Sequence, residues 1–198
     1  MSSKALETRK RILDSTVSML EQHGGHDVRM SDIAKASGVS RQAVYLHFAT
    51  RSELLAAATR HLDERLDLER RLAPSREAKG GTDRLMRYIE FWGAYIPEIY
   101  GVGKALMMAS DTDAAAAAAW DDRMAAMREG CQAAIDALHA DGQLATGWTR
   151  RKATDALWAM LLVPTWEALT LECGWSNSEY VRRTKALAIR TFARTIAK

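Results

Sequence analysis

Helical periodicity runs through most of this chain, and no segment shows the alternation of a β-strand. The 198 residues include only three prolines, at positions 74, 97 and 164, and no run of alternating β-branched residues lies between turn residues. With 47% hydrophobic and 27% charged residues, the composition is that of a folded protein able to bury a sizeable core. The sequence therefore predicts an all-α fold.

Helix bounds are predicted from apolar spacing and from capping residues. Gly24 and Gly25 are expected to end the first helix, and capping boxes are expected at 50–53 and 176–179. A polar segment at 73–81 is the clearest internal break, and all six tryptophans follow it. The predicted helices cover about 4–23, 30–37, 41–48, 50–72, 83–99, 101–109, 113–139, 150–173 and 177–197.

Residues 30–49 read MSDIAKASGVSRQAVYLHFA, which has the form of a helix-turn-helix. Ile33 and Ala34 would face the following helix, Gly38 would permit the tight turn, and Val39 and Val44 would fill the space beneath. Four bases stand against one acid between positions 29 and 51. The second helix of such a motif enters the major groove, so this segment predicts binding to double-stranded DNA.

The second helix of the motif carries the candidate base contacts. Arg41 and Gln42 stand at its N-terminus, where bidentate pairing with guanine and adenine respectively is possible. Ser40, Tyr45 and His47 are better placed for phosphates, which set register without reading sequence.

The motif and its extension VYLHFATRSELL at 44–55 resemble the DNA-binding head of the TetR family of bacterial transcriptional repressors. The resemblance is strong over residues 8–56, and beyond them it rests on Trp158 and on Gly174, Trp175 and Ser176. It implies a three-helix DNA-binding head at residues 1–50 and a helical ligand-binding and dimerisation body at 51–198.

The resemblance also implies DNA-backbone contacts at Ser40, Tyr45 and His47. Arg51 stands where the family usually has a lysine against a phosphate. Arg29 stands where the family commonly has a Thr or Ser cap, so we expect Asp27 to cap the second helix and Arg29 to reach a phosphate.

Two heads on a pseudo-palindrome are the usual arrangement for this motif, so the last two helices are predicted to hold a homodimer together. Pro164 is expected to kink its helix. Alternatively, the apolar faces of these two helices belong to the core of a single chain. The predicted interface residues are Leu157, Leu161, Pro164, Ala168, Tyr180, Thr184, Leu187 and Thr191.

Aromatic and methionine side chains recur in the central helices. Any one of them is most often a core residue, but as a set they suit an apolar pocket with a few orienting hydrogen bonds. The resemblance implies such a pocket, whose small-molecule effector weakens operator binding when bound. The predicted ligand-binding residues are Tyr88, Trp92, Tyr95, Met108, Trp120, Met124, Trp158 and Trp166.

Signatures of other function classes are missing from the sequence. No GxSxG, HExxH, P-loop or Rossmann pattern occurs, and His23 and His26 make a weak metal site, so we expect no catalysis, cofactor or metal. The two distant cysteines and the lack of a signal-peptide core or a run of ~20 apolar residues predict a cytoplasmic protein outside the membrane.

These observations together predict a ligand-responsive transcriptional repressor that binds its operator as a homodimer. Three alternatives stay open at this point. The protein could be a helical binding module without DNA, a transcriptional activator, or a DNA-binding regulator that needs no ligand.

Overall fold

The computed structural model describes residues 3–23 and 28–194, and most of these residues are helical. Their only β-type pairing is an isolated bridge between Leu144 and Ala193, and none of the described residues forms a β-strand. The predicted all-α fold is therefore confirmed. In chain order, the described residues form α1 (Ser3–Gln22), α2 (Met30–Ala36), α3 (Arg41–His47), α4 (Arg51–Arg65), α5 (Leu68–Arg76), α6 (Gly81–Ser110), α7 (Ala114–Ala140), α8 (Arg150–Leu161), α9 (Val163–Glu167), a π-helical turn (Ala168–Glu172) and α10 (Asn177–Phe192).

The chain divides into two compact units. The first unit contains the residues up to 67 together with 98–123, and the second contains 68–97 together with the residues from 124 onward. These units do not follow the predicted division at residue 50, which stays a prediction about function.

The first unit is built on the apolar face of α1. Ile12, Val17 and Leu20 recur at helical spacing and are fully buried, which places them against α2 and α4 in one core. At the edge of this core, His61 of α4 lies 2.6 Å from the carboxylate of Asp14 of α1. Val44 of α3 belongs to the same core, so the first unit anchors α3.

The second unit has a core of its own. It combines one face of α6, which carries Leu85, Tyr88 and Ile89, with apolar side chains of α7, α8 and α10. The hydroxyl of Tyr88 in α6 donates to the carbonyl of Met127 in α7 across 2.7 Å. Burial raises the pKa of Tyr88 well above its usual value, so this hydroxyl stays a donor.

The predicted helix at 50–72 is two helices, which corrects the sequence interpretation. Asp67 adopts a positive φ of 52° and separates α4 from α5. Pro74 lies inside α5 rather than in the break, because a proline removes one helical hydrogen bond without having to end the helix.

The predicted helices at 83–99 and 101–109 are one helix, α6, which continues through Pro97 and Gly101. Gly101 is required by a close approach rather than by a turn, since a Cβ there would lie 2.4 Å from the carbonyl oxygen of Leu20 in α1.

The predicted helix at 150–173 is interrupted, as expected from Pro164. Leu162 adopts an extended backbone (φ −57°, ψ 146°) between α8 and α9, and Pro164 stands in the first turn of α9, where a missing N–H is tolerated. The last predicted helix ends at Phe192. Gly24 and Gly25, expected to end α1, lie outside the described residues.

Candidate nucleic-acid interface

The turn between α2 and α3 has the tight geometry of a helix-turn-helix. Gly38 has a φ of 65°, a left-handed conformation that favours glycine, and the amide of Val39 donates to the carbonyl of Ala34 across 3.0 Å. Ile33, Ala34 and Val44 are at most 4% exposed. The steric roles predicted for Ile33, Ala34, Gly38 and Val44 are thereby confirmed.

Helix α3 begins at a serine cap. The hydroxyl of Ser40 accepts a hydrogen bond from the amide of Ala43 across 3.1 Å, which satisfies one of the free amides at the helix start. The hydroxyl proton of Ser40 is not used in this bond, so Ser40 can still donate to a phosphate oxygen.

The outer face of α3 carries two rows of side chains, each spaced one helical turn apart. Arg41 and Tyr45 form one row, and Gln42 and Leu46 form the other; all four are exposed. Because α3 contains no acidic residue, nothing on this face repels a phosphate backbone.

The first row is internally bonded. The guanidinium carbon of Arg41 lies 5.6 Å from the centroid of the Tyr45 ring, and Nη2 of Arg41 donates to the Tyr45 hydroxyl across 3.4 Å. This hydrogen bond raises the pKa of Arg41 above its ordinary value. Tyr45 therefore orients the side chain that was predicted to read guanine.

The remaining predicted contacts flank this face. His47 is half-buried, with its ring 6.5 Å from that of Phe48. Arg29 is exposed and precedes α2 without a side-chain capping bond, while Asp27, its expected substitute as a cap, lies outside the described residues. The Nε–H of Arg51 donates to the carbonyl of Val28 across 3.3 Å.

The bond from Arg51 was not anticipated from the sequence. It ties the start of α4 to the backbone just before α2, and it uses Nε while leaving the terminal nitrogens for other partners. A lysine has a methylene at the position of Nε, so it could not make this bond there and also extend its ammonium outward.

Sequence reasoning also missed two side chains near α3. Leu46 is 83% exposed, and its spacing of four residues from Gln42 was a signal that could have found it. The guanidinium of Arg9 in α1 lies 4.7 Å from the centroid of the Phe48 ring, a contact between distant positions that sequence spacing does not encode.

The predicted ligand-binding residues do not fall in one compact unit. Met108 and Trp120 belong to the first unit and the other six to the second; Met108 is 44% exposed. In the second unit, Tyr95 lies 5.9 Å from Trp92 in edge-on geometry, and Met124 and Trp158 pack against the core that contains Tyr88. Trp166 instead donates from its indole N–H to Asn177 across 2.9 Å.

The predicted dimer-interface residues divide by burial. Leu157, Leu161, Tyr180 and Thr184 have almost no exposed surface, so they belong to the core of the protomer and cannot pack on a second copy, which corrects the prediction for these four. The accessible members are Pro164, Ala168, Leu187 and Thr191, and for these four the interface stays a prediction.

Residues 12–58, which include α2, α3 and the start of α4, match the model of a protein family described as bacterial regulatory proteins, tetR family. The resemblance of this segment to the TetR family is thereby confirmed. The family consists of bacterial regulatory proteins.

Individual relatives match mainly over the same head. The regulator AcrR of Shigella flexneri is 42% identical over 53 residues, 27% of this chain and 25% of AcrR; other relatives above 30% identity are matched over about half of their length or less. The regulator CymR of Pseudomonas putida is 26% identical over 79% of this chain and 75% of CymR.

Solved structures share the helical fold of this chain. A transcriptional regulator from Saccharomonospora viridis, crystallised in complex with choline, superposes with a TM-score of 0.81 and 19% identity over 96% of this chain and 99% of that one. At this identity the likeness concerns the fold.

Two further findings concern the described residues as a whole. Among residues 3–23 and 28–194, none of the helices combines the length and the hydropathy that crossing a lipid bilayer requires. Across the same residues, no group of three or more His, Cys, Asp or Glu side chains is arranged to hold a metal ion; His26 is outside this part of the chain.

Proposed function

We propose that the protein is a ligand-responsive transcriptional repressor that binds a pseudo-palindromic operator as a homodimer. A small, largely apolar or aromatic molecule releases it from DNA. The observation that carries the proposal is the outer face of α3, where Arg41, Gln42 and Tyr45 project from a helix without acidic residues. A helix presented in this way fits the major groove. The protein acts in the cytoplasm, where bacterial DNA lies.

Exposed apolar side chains near the end of the chain support the homodimer. Leu171 of the π-helical turn and Leu187 of α10 are 56% and 53% exposed, and Thr191 follows Leu187 by one helical turn. Burying such side chains against a second copy releases the water that they order. Two copies then present two recognition helices to two half-sites.

Unpartnered donors in the second unit support the ligand. Among the described residues, the indole N–H groups of Trp92 and Trp158 and the hydroxyl of Thr154 are buried without a hydrogen-bond partner. Such groups are rare in folded proteins because they lose their bonds to water without replacement. An effector that carries an oxygen acceptor would supply what these donors lack. The choline complex of the Saccharomonospora viridis relative supports a small-molecule site in this architecture.

The DNA part is tested by selecting bound duplexes from a random pool at about 150 mM salt, where non-specific binding is suppressed. We expect two inverted half-sites to be enriched. Enrichment of a single half-site would contradict the homodimer, and no enrichment from ligand-stripped, refolded protein would contradict operator binding.

The dimer and the ligand each have a separate test. Leu187→Glu should shift the sedimenting species toward the monomer, whereas Leu6→Glu, at an equally exposed leucine of α1, should not.

Compounds that raise the melting temperature of the protein should lower operator affinity and change tryptophan emission, with Trp92→Phe reducing both effects. A compound that binds without changing operator affinity would count against the effector role.

A further inference from the structure

We propose that Leu46 reads the methyl group of a thymine in the major groove of the operator. This inference rests on the proposed function, DNA binding through α3. It adds a base contact that involves no hydrogen bond, made by a residue that is neither basic nor polar.

The exposure of Leu46 is the first observation. At 83%, it exceeds that of the other exposed large hydrophobic side chains among the described residues, which range from 40% to 56%. Single exposed leucines are ordinary on protein surfaces. Leu46 differs because it lies on the face of α3 that carries Arg41 and Gln42, and a side chain there is buried when the helix enters the groove.

The position of Leu46 on α3 is the second observation. Leu46 follows Gln42 by four residues, so both lie in one row, about 6 Å apart along the helix axis. Successive base pairs are about 3.4 Å apart. If Gln42 reaches an adenine, Leu46 reaches an edge about one or two base pairs away.

The chemistry of the groove decides what Leu46 contacts. In the major groove the base edges present hydrogen-bond donors and acceptors, and thymine alone adds an apolar group, its 5-methyl. A leucine can neither donate nor accept, so it cannot pair with a phosphate or with a polar base edge. Contact between Leu46 and the thymine methyl buries apolar surface on both partners.

The test uses the duplex recovered by the selection described above. Each thymine is replaced in turn by deoxyuridine, which removes the methyl and leaves every hydrogen-bonding group in place. Binding is measured for the wild-type protein, for Leu46→Ala and Leu46→Met, and for Leu6→Ala as a control at an exposed leucine of α1.

We expect one thymine in each half-site whose replacement weakens wild-type binding about four-fold, the value for burying one methyl-sized group. The same replacement should weaken the binding of Leu6→Ala about as much as that of the wild type, and the binding of Leu46→Met nearly as much. Leu46→Ala should bind the thymine and deoxyuridine duplexes equally. Circular dichroism checks that the variants are folded, which the exposure of both leucines favours.

Two results overturn the inference while leaving operator binding intact. In the first, no thymine replacement changes the DNA affinity of the wild-type protein. In the second, a thymine replacement lowers the DNA affinity of the wild type and of Leu46→Ala by the same factor. Failure of the selection to enrich any sequence would instead overturn the proposed function, and the thymine contact with it.

Discussion

The side-chain amide of Asn177 donates to the backbone carbonyl of Gly93 across 2.8 Å. In a regular helix this carbonyl accepts from the amide four residues later, but that residue is Pro97, which has no N–H. Asn177 therefore replaces the missing helical bond and allows α6 to continue through its proline. The oxygen of the same amide accepts from the indole of Trp166, so one side chain links α6, α9 and α10.

We expect Asn177→Ala to lower the free energy of unfolding by about 2–4 kcal/mol, because it removes the donor to Gly93 and the acceptor for Trp166 in a partly buried place. Urea denaturation measures the loss. In a Pro97→Ala background the backbone amide at 97 serves Gly93 again, so the same substitution should cost less. An equal cost in both backgrounds would show that Asn177 does not compensate for the proline.

The pairing of Arg41 with Tyr45 predicts non-additive effects on DNA binding. Tyr45→Phe keeps the ring but removes the hydroxyl that holds the guanidinium, so its effect on DNA affinity should largely vanish when Arg41 is already alanine.

Tyr45→Ala should weaken binding to all duplexes, and Gln42→Ala should mainly relax sequence preference. Fluorescence anisotropy with operator and scrambled duplexes separates these cases. Arg51→Ala combined with Arg41→Ala should be additive, since Arg51 is bonded to Val28 instead.

Arg51 is expected to have two separable roles. Arg51→Ala should reduce the salt dependence of DNA affinity by about one ion, because one phosphate contact is lost. Arg51→Lys should keep that salt dependence but lower the free energy of unfolding by about 1 kcal/mol, since lysine cannot replace the Nε–H bond to Val28. If Arg51→Lys changes the salt slope and not the stability, the roles are assigned the wrong way round.

The close approach of Gly101 to Leu20 predicts a sharp contrast between two glycines of α6. Gly101→Ala places a Cβ against backbone that cannot easily move, so we expect a loss of stability of about 1–3 kcal/mol. Gly103→Ala meets no atom within 4 Å and should gain up to about 1 kcal/mol from helix propensity. Thermal unfolding of both variants measures the difference, and similar melting temperatures would argue against a steric role for Gly101.

Burial raises the pKa of the Cys131 thiol to about 12, which predicts a loss of stability in alkali. The unfolded chain ionises this thiol near its ordinary pKa of about 8.5, so the folded state favours the neutral form. The resulting stabilisation is complete below that pH and is lost as the pH rises toward 12, by up to about 1.4 kcal/mol per pH unit.

Urea unfolding at pH 7, 9 and 10 tests this dependence. Cys131→Ala should lose less stability between pH 9 and 10 than the wild type, although Tyr88 and Tyr180, whose pKa values are also raised by burial, keep part of the slope. Cys173→Ala is the matched control, because Cys173 is exposed. Parallel curves for the Cys131 variant and the wild type would contradict the prediction.

Local sequence signals predicted the features that act within a few residues. The hydroxyls of Thr50 and Ser176 accept from the amides three positions later, as their capping boxes indicated. Glu53 closes its box on the amide of Ala49 rather than on Thr50. The steric pattern around Gly38 placed the turn and both helices of the DNA-binding motif.

Features that depend on distant partners could not be predicted in this way. Whether Pro97 ends a helix depends on Asn177, which bonds to a residue 84 positions away, and Gly101 marks a contact with α1 rather than a turn. The bond of Arg51 to Val28 spans 23 positions. The turn at Asp67 contains neither glycine nor proline, so no local signal predicts it. Half of the predicted interface residues are buried inside the protomer, which depends on how the helices pack.

Helix α3 has one fully buried side chain, Val44, and Phe48 is buried directly after it. Arg41, Gln42, Tyr45 and Leu46 are exposed and lie outside the hydrophobic core to which these two anchors belong. Selection can therefore alter the outward residues one by one, and with them the preferred operator, without weakening the core. A lineage that duplicates this gene could acquire a new set of target promoters while its protein keeps the same folding stability.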